Sequence, residues 1–185
     1  MLYFYSAKTD FDFAMNMKKT ALLGLVLLVF SFGCEKDDIC SETTPTTPRL
    51  IIDFYDFTNP TLNKNVTNLA IIGEGMTTPY QVYNGVSKIE VPLDVAQNLS
   101  KYQFVLNYDN SNPDFINTDW LEFDYSRSQV YVSRACGYKT LFDLNDTTPF
   151  IHTDSTTPDG LWMRNITVVQ PAISNEDETH LEISF

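Results

Sequence analysis

Three cysteines and two histidines are the residues through which this chain could do covalent or metal chemistry: Cys34, Cys40, Cys136, His152 and His180. Neither histidine has a second one at ligand spacing, and neither Cys40 nor Cys136 has a neighbour at CxxC or CxxH spacing, so no metal centre is expected. A nucleophilic arrangement would take Cys136 with His152 as its base. Pairing of Cys136 with Cys40 competes directly for the same sulfur. The sequence contains no GxSxG, no HExxH and no glycine-rich phosphate loop. Carboxylates are plentiful, but Asp109–Asp114 and Asp143–Thr148 both lack the EF-hand spacing, which requires a bidentate Glu at its twelfth position. His152, in a Thr/Asp/Pro segment, and His180, opening a strand, read as surface or strand-end residues. No catalytic residue, metal ligand or cofactor is assigned, and the chain reads as a non-enzyme.

The segments that would position these cysteines begin with Lys18-Lys19, followed by TALLGLVLLVFSFG at 20–33. A basic start, a short apolar run and a small residue before the cut make a secretory signal. About twelve strongly apolar residues are too few to span roughly 30 Å of hydrocarbon. The preceding segment carries Asp10 and Asp12 and is a poor signal start, which points to translation from Met17 or Met15. The expected organisation is an extension over 1–16, a signal peptide over 17–33, a lipidated tether with a Pro/Thr segment over 34–48, and a β-domain over 49–185.

Ser31-Phe32-Gly33-Cys34 resembles a lipobox of the looser kind found in lipoproteins of Bacteroidota. The resemblance implies a diacylglyceryl group on the Cys34 sulfur and, often, a further chain on its amine. One acyl chain holds a protein only reversibly, at about 0.8 kcal/mol per buried CH₂, whereas two or three hold it stably. Glu35-Lys36-Asp37-Asp38 resembles the export signal of such lipoproteins, with Lys36, Asp37 and Asp38 directing the protein to the outer face of the outer membrane. The periplasmic face is the alternative, and a merely solvated linker is the bland reading. With Cys34 lipidated, Cys40 and Cys136 remain, and an oxidising compartment makes them a disulfide pair. An intermolecular bridge or two free thiols are the alternatives.

From residue 49 onward strand signals dominate: RLIIDFYDF (49–57), VTNLAIIG (66–73), YQVYNGVSKIEVPL (80–93) with its Asn84-Gly85 turn, KYQFVLNY (101–108), WLEFDY (120–125), QVYVSRAC (129–136), LWMRNITVVQ (161–170) and HLEISF (180–185). Ser126-Arg127-Ser128 reads as a hairpin connection, and PLDVAQNLS at 92–100 as one or two helical turns. In 120–125, Leu121, Phe123 and Tyr125 alternate against Trp120, Glu122 and Asp124. About eight short strands suggest an all-β, antiparallel, two-sheet sandwich of the immunoglobulin-like kind. Alternation places Arg134 in line with Val130, Val132 and Cys136; on a core face its guanidinium would need a partner, for which Asp53 is the candidate in a structural ion pair.

The stretches CEKDDIC, TPTTPRLIIDFYD and VYVSRACGYKTLF together resemble a family of Bacteroidota lipoproteins of unknown function. The resemblance implies recurring cysteines at positions like 34, 40 and 136, and no activity. A net charge of -12 argues against nucleic-acid binding, which needs clustered cations. The partners expected are the membrane, through lipid on Cys34, and another envelope protein or a glycan. The alternative is a carrier or enzyme using a hydrophobic cavity between the sheets.

Overall fold

Two runs of this chain are apolar on both sides of a strand: β1 (Leu50–Tyr55, LIIDFY) and β2 (Leu69–Gly73, LAIIG), each buried along nearly its whole length. A strand buried on both faces belongs in the interior of a sheet. The computed structural model, which describes residues 39–185, puts both there. The expected signal peptide, Cys34, Lys36, Asp37 and Asp38 lie outside the described residues.

The remaining elements are β3 (Gln81–Tyr83), β4 (Lys88–Val91), β5 (Leu99–Leu106), a 3-10 turn (Pro113–Phe115), β6 (Asn117–Ser133), β7 (Gly137–Leu144), β8 (Phe150–Asp154), β9 (Asn165–Val168), β10 (Ala172–Ile173) and β11 (Leu181–Ser184). The fold is all-β. A small sheet has the order β4-β1-β11-β9, and a large sheet the order β10-β7-β6-β5-β2-β3, with β8 also pairing β6. Every pairing is antiparallel except that of β1 with β11. One core is drawn from both sheets, including Ile52 and Phe54 of β1, Ile71 of β2, Phe104 of β5, Phe123 and Tyr125 of β6, and Ile183 of β11. Phe54, Trp162 and Phe185 pack ring on ring at centroid separations of 5.3–6.2 Å. The buried Trp162 indole donates Nε1–H to the Phe104 carbonyl at 3.0 Å.

The first and last strands are joined by more than their ladder. Arg49 grips Glu176 with two side-chain hydrogen bonds of 2.8 and 2.9 Å. The Thr179 hydroxyl donates to Asp53 at 2.6 Å, and the Ile51 N–H donates to His180 Nδ1 at 2.9 Å. These contacts line up the segment entering β11 beside β1 and set the register of the parallel pair.

Several local expectations are corrected. There are eleven strands among the described residues, against about eight expected, because β7, β8 and β10 have weak sequence signals. Ser126-Arg127-Ser128 is not a connection but the middle of β6, paired with Leu141–Asp143. It contains no residue that demands a turn, and β7 supplies its ladder. Asn84-Gly85 does not close a hairpin: β3 pairs with β2 in the large sheet and β4 with β1 in the small one. Gly85, at φ +70°, lets the chain change sheets, with its N–H bonded to the Val66 carbonyl. Residues 92–94 are irregular, 95–98 form bends and 99–100 open β5, so there is no helical turn. Val130 and Val132 lie off the core, since β6 is exposed on both faces over 126–131.

Beyond β6, the return strand is interrupted. β7 pairs with Tyr125–Ser133 and β8 with Asp119–Phe123 on the same edge, while Asn145–Pro149 loops out between them. Asp124 closes this interruption by bonding to both the Asn145 N–H and the Pro149 carbonyl.

Cys40 and Cys136 are disulfide-bonded. Ser41–Phe185 forms one compact unit, in which Pro48 is buried and the Thr140 N–H donates to Thr47 at 3.0 Å. The Pro/Thr segment therefore lies along β7. A loop of about a hundred residues closed by the disulfide has a calculated stabilisation of up to about 4.7 kcal/mol, mainly through the unfolded chain. Urea unfolding with and without reductant is expected to show a lower midpoint for the reduced protein; coincident curves would refute this.

Candidate functional site

Asp119 begins the inner row of β6 and is completely buried. Its Oδ2 lies 2.7 Å from His152 Nε2 and accepts the Met163 N–H at 3.0 Å, while Oδ1 accepts the Trp162 N–H at 3.3 Å. A buried side chain that satisfies two backbone amides pins a segment, here the one that delivers Trp162 to the core. His152 is thus held within a strand, β8, not in the loop that its sequence neighbours suggested. His180, read as a surface or strand-end residue, does stand immediately before β11, but it is completely buried.

The Cys136–His152 nucleophile arrangement fails at the sulfur. The sulfur of Cys136 is committed to the disulfide, and the histidine is paired with Asp119. The carboxyl of Asp53 is taken by Thr179 and faces Lys88, directly opposite on β4, at 3.6 Å. Arg134 is exposed in the β6–β7 turn. The turn at Asp109–Asp114 is organised internally, with Asn112 Oδ1 accepting the Asp114 N–H. Asn145 likewise caps the N–H groups of Thr147 and Thr148. Among the described residues, no group of three or more His, Cys, Asp or Glu is arranged to hold a metal ion.

What the sequence reading missed lies on the outer face of the large sheet. Cross-strand register sets Ile72, Gln103, Trp120 and Thr153 in one row, with Val105 and Thr118 in the next. On this floor sits a groove of about 620 Å³, open to solvent. Gln103, Thr118 and Trp120 form its base, the 3-10 turn with Asp114 and Ile116 one wall, and Ser155–Thr157 with Asp159 the other. Lys101 braces the Trp120 ring from 5.2 Å and is itself paired with Glu74 and Glu122. Ile116 packs on Ala70, Ile72 and Val105, which anchors its wall to the sheet.

The second wall is shaped by Asp154, whose carboxylate accepts the N–H groups of Ser155, Asp159 and Gly160. Burial works to raise the pKa of Asp154, but these amides outweigh it and hold the group below the usual range. Asp159 shifts the other way: burial and the shared hydrogen bond with Asp154 raise it, against the opposing Thr118 N–H. The groove therefore presents an aromatic plate, an amide, hydroxyls and two carboxyl groups, without a Lys, Arg or His among its lining residues. Such a surface can exchange many hydrogen bonds with a polar neutral ligand and disfavours an anionic one. One signal was visible in the sequence: Trp120 is a large aromatic in the outward row otherwise filled by Glu122 and Asp124.

His180 generates a pH-dependent expectation. Its Nδ1 accepts the Ile51 N–H, so Nε2 carries the proton, buried and without an acceptor. Burial lowers its pKa, against the opposing Glu178 and Glu176. Because the folded pKa lies below the unfolded value of about 6.5, the contribution is fully present above that pH. It is lost as pH falls, at up to about 1.4 kcal/mol per pH unit. Chemical denaturation between pH 7 and 5 should show a steeper loss for wild type than for His180→Gln; equal slopes would remove the assignment.

A family model described as a family of unknown function (DUF6452) matches residues 68–185, which run from the residue before β2 to the last residue. No curated protein and no solved structure matches the chain. The matched span contains β2 to β11, the whole groove, the Asp119–His152 pair and Cys136. By this match the chain belongs to that family of unknown function (DUF6452).

Proposed function

We propose that this chain is a lipid-anchored cell-envelope lipoprotein, held at the outer membrane through Cys34 and displayed at the cell surface, whose β-domain is a non-catalytic binding module. Its ligand is a neutral glycan, bound in the groove over Trp120. The observation that carries the reading is the groove's composition: an indole plate beside Gln103, Thr118, Asp114 and Asp159, open to solvent. The face of a sugar ring carries C–H groups that pack on an aromatic plate, and its hydroxyls pair with amides and carboxyls.

Export is supported by the Cys40–Cys136 disulfide, since such bonds persist in oxidising compartments. The two sheets around one core support an immunoglobulin-like sandwich as the framework. The carrier reading is less well supported, because the ring cluster of Phe54, Trp162 and Phe185 fills part of the space such a ligand would need.

Calorimetric titration of the full chain in detergent with neutral glucan, mannan and xylan oligosaccharides tests the binding. At least one series should bind, and Trp120→Ala should weaken it by about tenfold or more, roughly 1.4 kcal/mol. Absence of binding to every series, or unchanged affinity in the variant, would sink the proposal.

A further inference from the structure

The far end of β6 has no role in the groove. Tyr125 is its last core side chain, and at about 3.3 Å per residue the strand continues roughly 20 Å further to Tyr131. There Val130, Tyr131 and Tyr138 are 40%, 56% and 67% exposed. The two tyrosines are directly opposite across β6 and β7, and their rings meet edge to face at 5.3 Å. Residues 126–142 contain no Asp or Glu, in a chain of net charge -12. A tip with paired tyrosines, an exposed valine and no carboxylate matches the membrane interface, where an apolar ring and a hydroxyl are both accommodated.

The disulfide says which surface this tip meets. Cys136 lies in the turn at the tip and is bonded to Cys40. From Cys34 to Cys40 the chain reaches at most about 20 Å even when fully extended. Membrane anchorage at Cys34, on which this inference rests, therefore keeps the tip close to the bilayer.

We propose that the β6–β7 tip, through Val130, Tyr131 and Tyr138, docks into the headgroup layer of the membrane that holds Cys34. The hairpin then stands on the lipid surface. The groove lies away from it, with Trp120 roughly 36 Å back along β6 from Tyr131.

Tryptophan quenching by brominated lipid tests this. The acylated full chain is reconstituted in vesicles of phosphatidylethanolamine and phosphatidylglycerol, with and without dibrominated phosphatidylcholine, and recovered by flotation. Wild type has only Trp120 and Trp162 and should be unaffected by bromine. Tyr138→Trp, at an exposed site, should lose roughly a third of its emission, the share of one interfacial indole in three. A protein that floats with an unquenched tip overturns the docking and leaves the anchorage intact. So does a wild type quenched as much as the variant. A protein that stays in the aqueous fraction overturns the anchorage, and the docking with it.

Discussion

Strand β6 carries the constraint on which the rest of this structure depends. Its inner row, Asp119, Leu121, Phe123 and Tyr125, faces the core, while its edges hold β5 on one side and β7 with β8 on the other. An apolar residue at 119 would continue the hydrophobic row but would leave the N–H groups of Trp162 and Met163 without their acceptor. Buried amides without partners cost about 1–3 kcal/mol each. The carboxyl group therefore joins sheet and connecting segment at a place where sequence pattern alone calls for a leucine. Trp162, delivered by that segment, then completes the ring cluster with Phe54 and Phe185.

The small sheet solves a different problem. Its central strands come from opposite ends of the described chain and run parallel, so no hairpin can set their register. Side chains do so instead, with Arg49 on Glu176, Asp53 on Thr179 and the backbone of Ile51 on His180. The family match begins at residue 68, after β1. In this chain β1 is nevertheless indispensable to the sheet, because it is hydrogen-bonded to both β4 and β11.

Much of this fold was legible in the sequence where the signal was periodic or continuous. LIIDFY and LAIIG read as strands, and the alternation in WLEFDY placed Leu121, Phe123 and Tyr125 inside. The pairing of strands was not legible. Asn84-Gly85 carries the residue types of a tight hairpin, yet the chain uses the same backbone freedom to pass between sheets. Ser126-Arg127-Ser128 looked like a turn only because polar residues interrupt an apolar pattern; a strand projecting from the core needs no such pattern. Residues of the groove come from β5, β6 and two connections, and their meeting depends on cross-strand register. Trp120 alone left a signal in the sequence, as an aromatic in the row of Glu122 and Asp124, and that signal went unread. The strand position of His152 and the burial of His180 escaped for the same reason: polar neighbours in sequence say little about a side chain whose partner, Asp119 or the backbone of Ile51, is remote along the chain.

The disulfide at the hairpin turn also decides how the domain bears force. A pull on the chain ahead of Cys40 is shared at once with Cys136 and enters lengthwise along β6 and β7. The hydrogen bonds that tie β6 to β5 and β8 lie across that direction, so they are loaded together in shear and not peeled one at a time. The load then passes into a strand clamped by β5 and β8, next to the buried Asp119. The remainder follows the backbone into β1, so the small sheet shares the load through its own central strand.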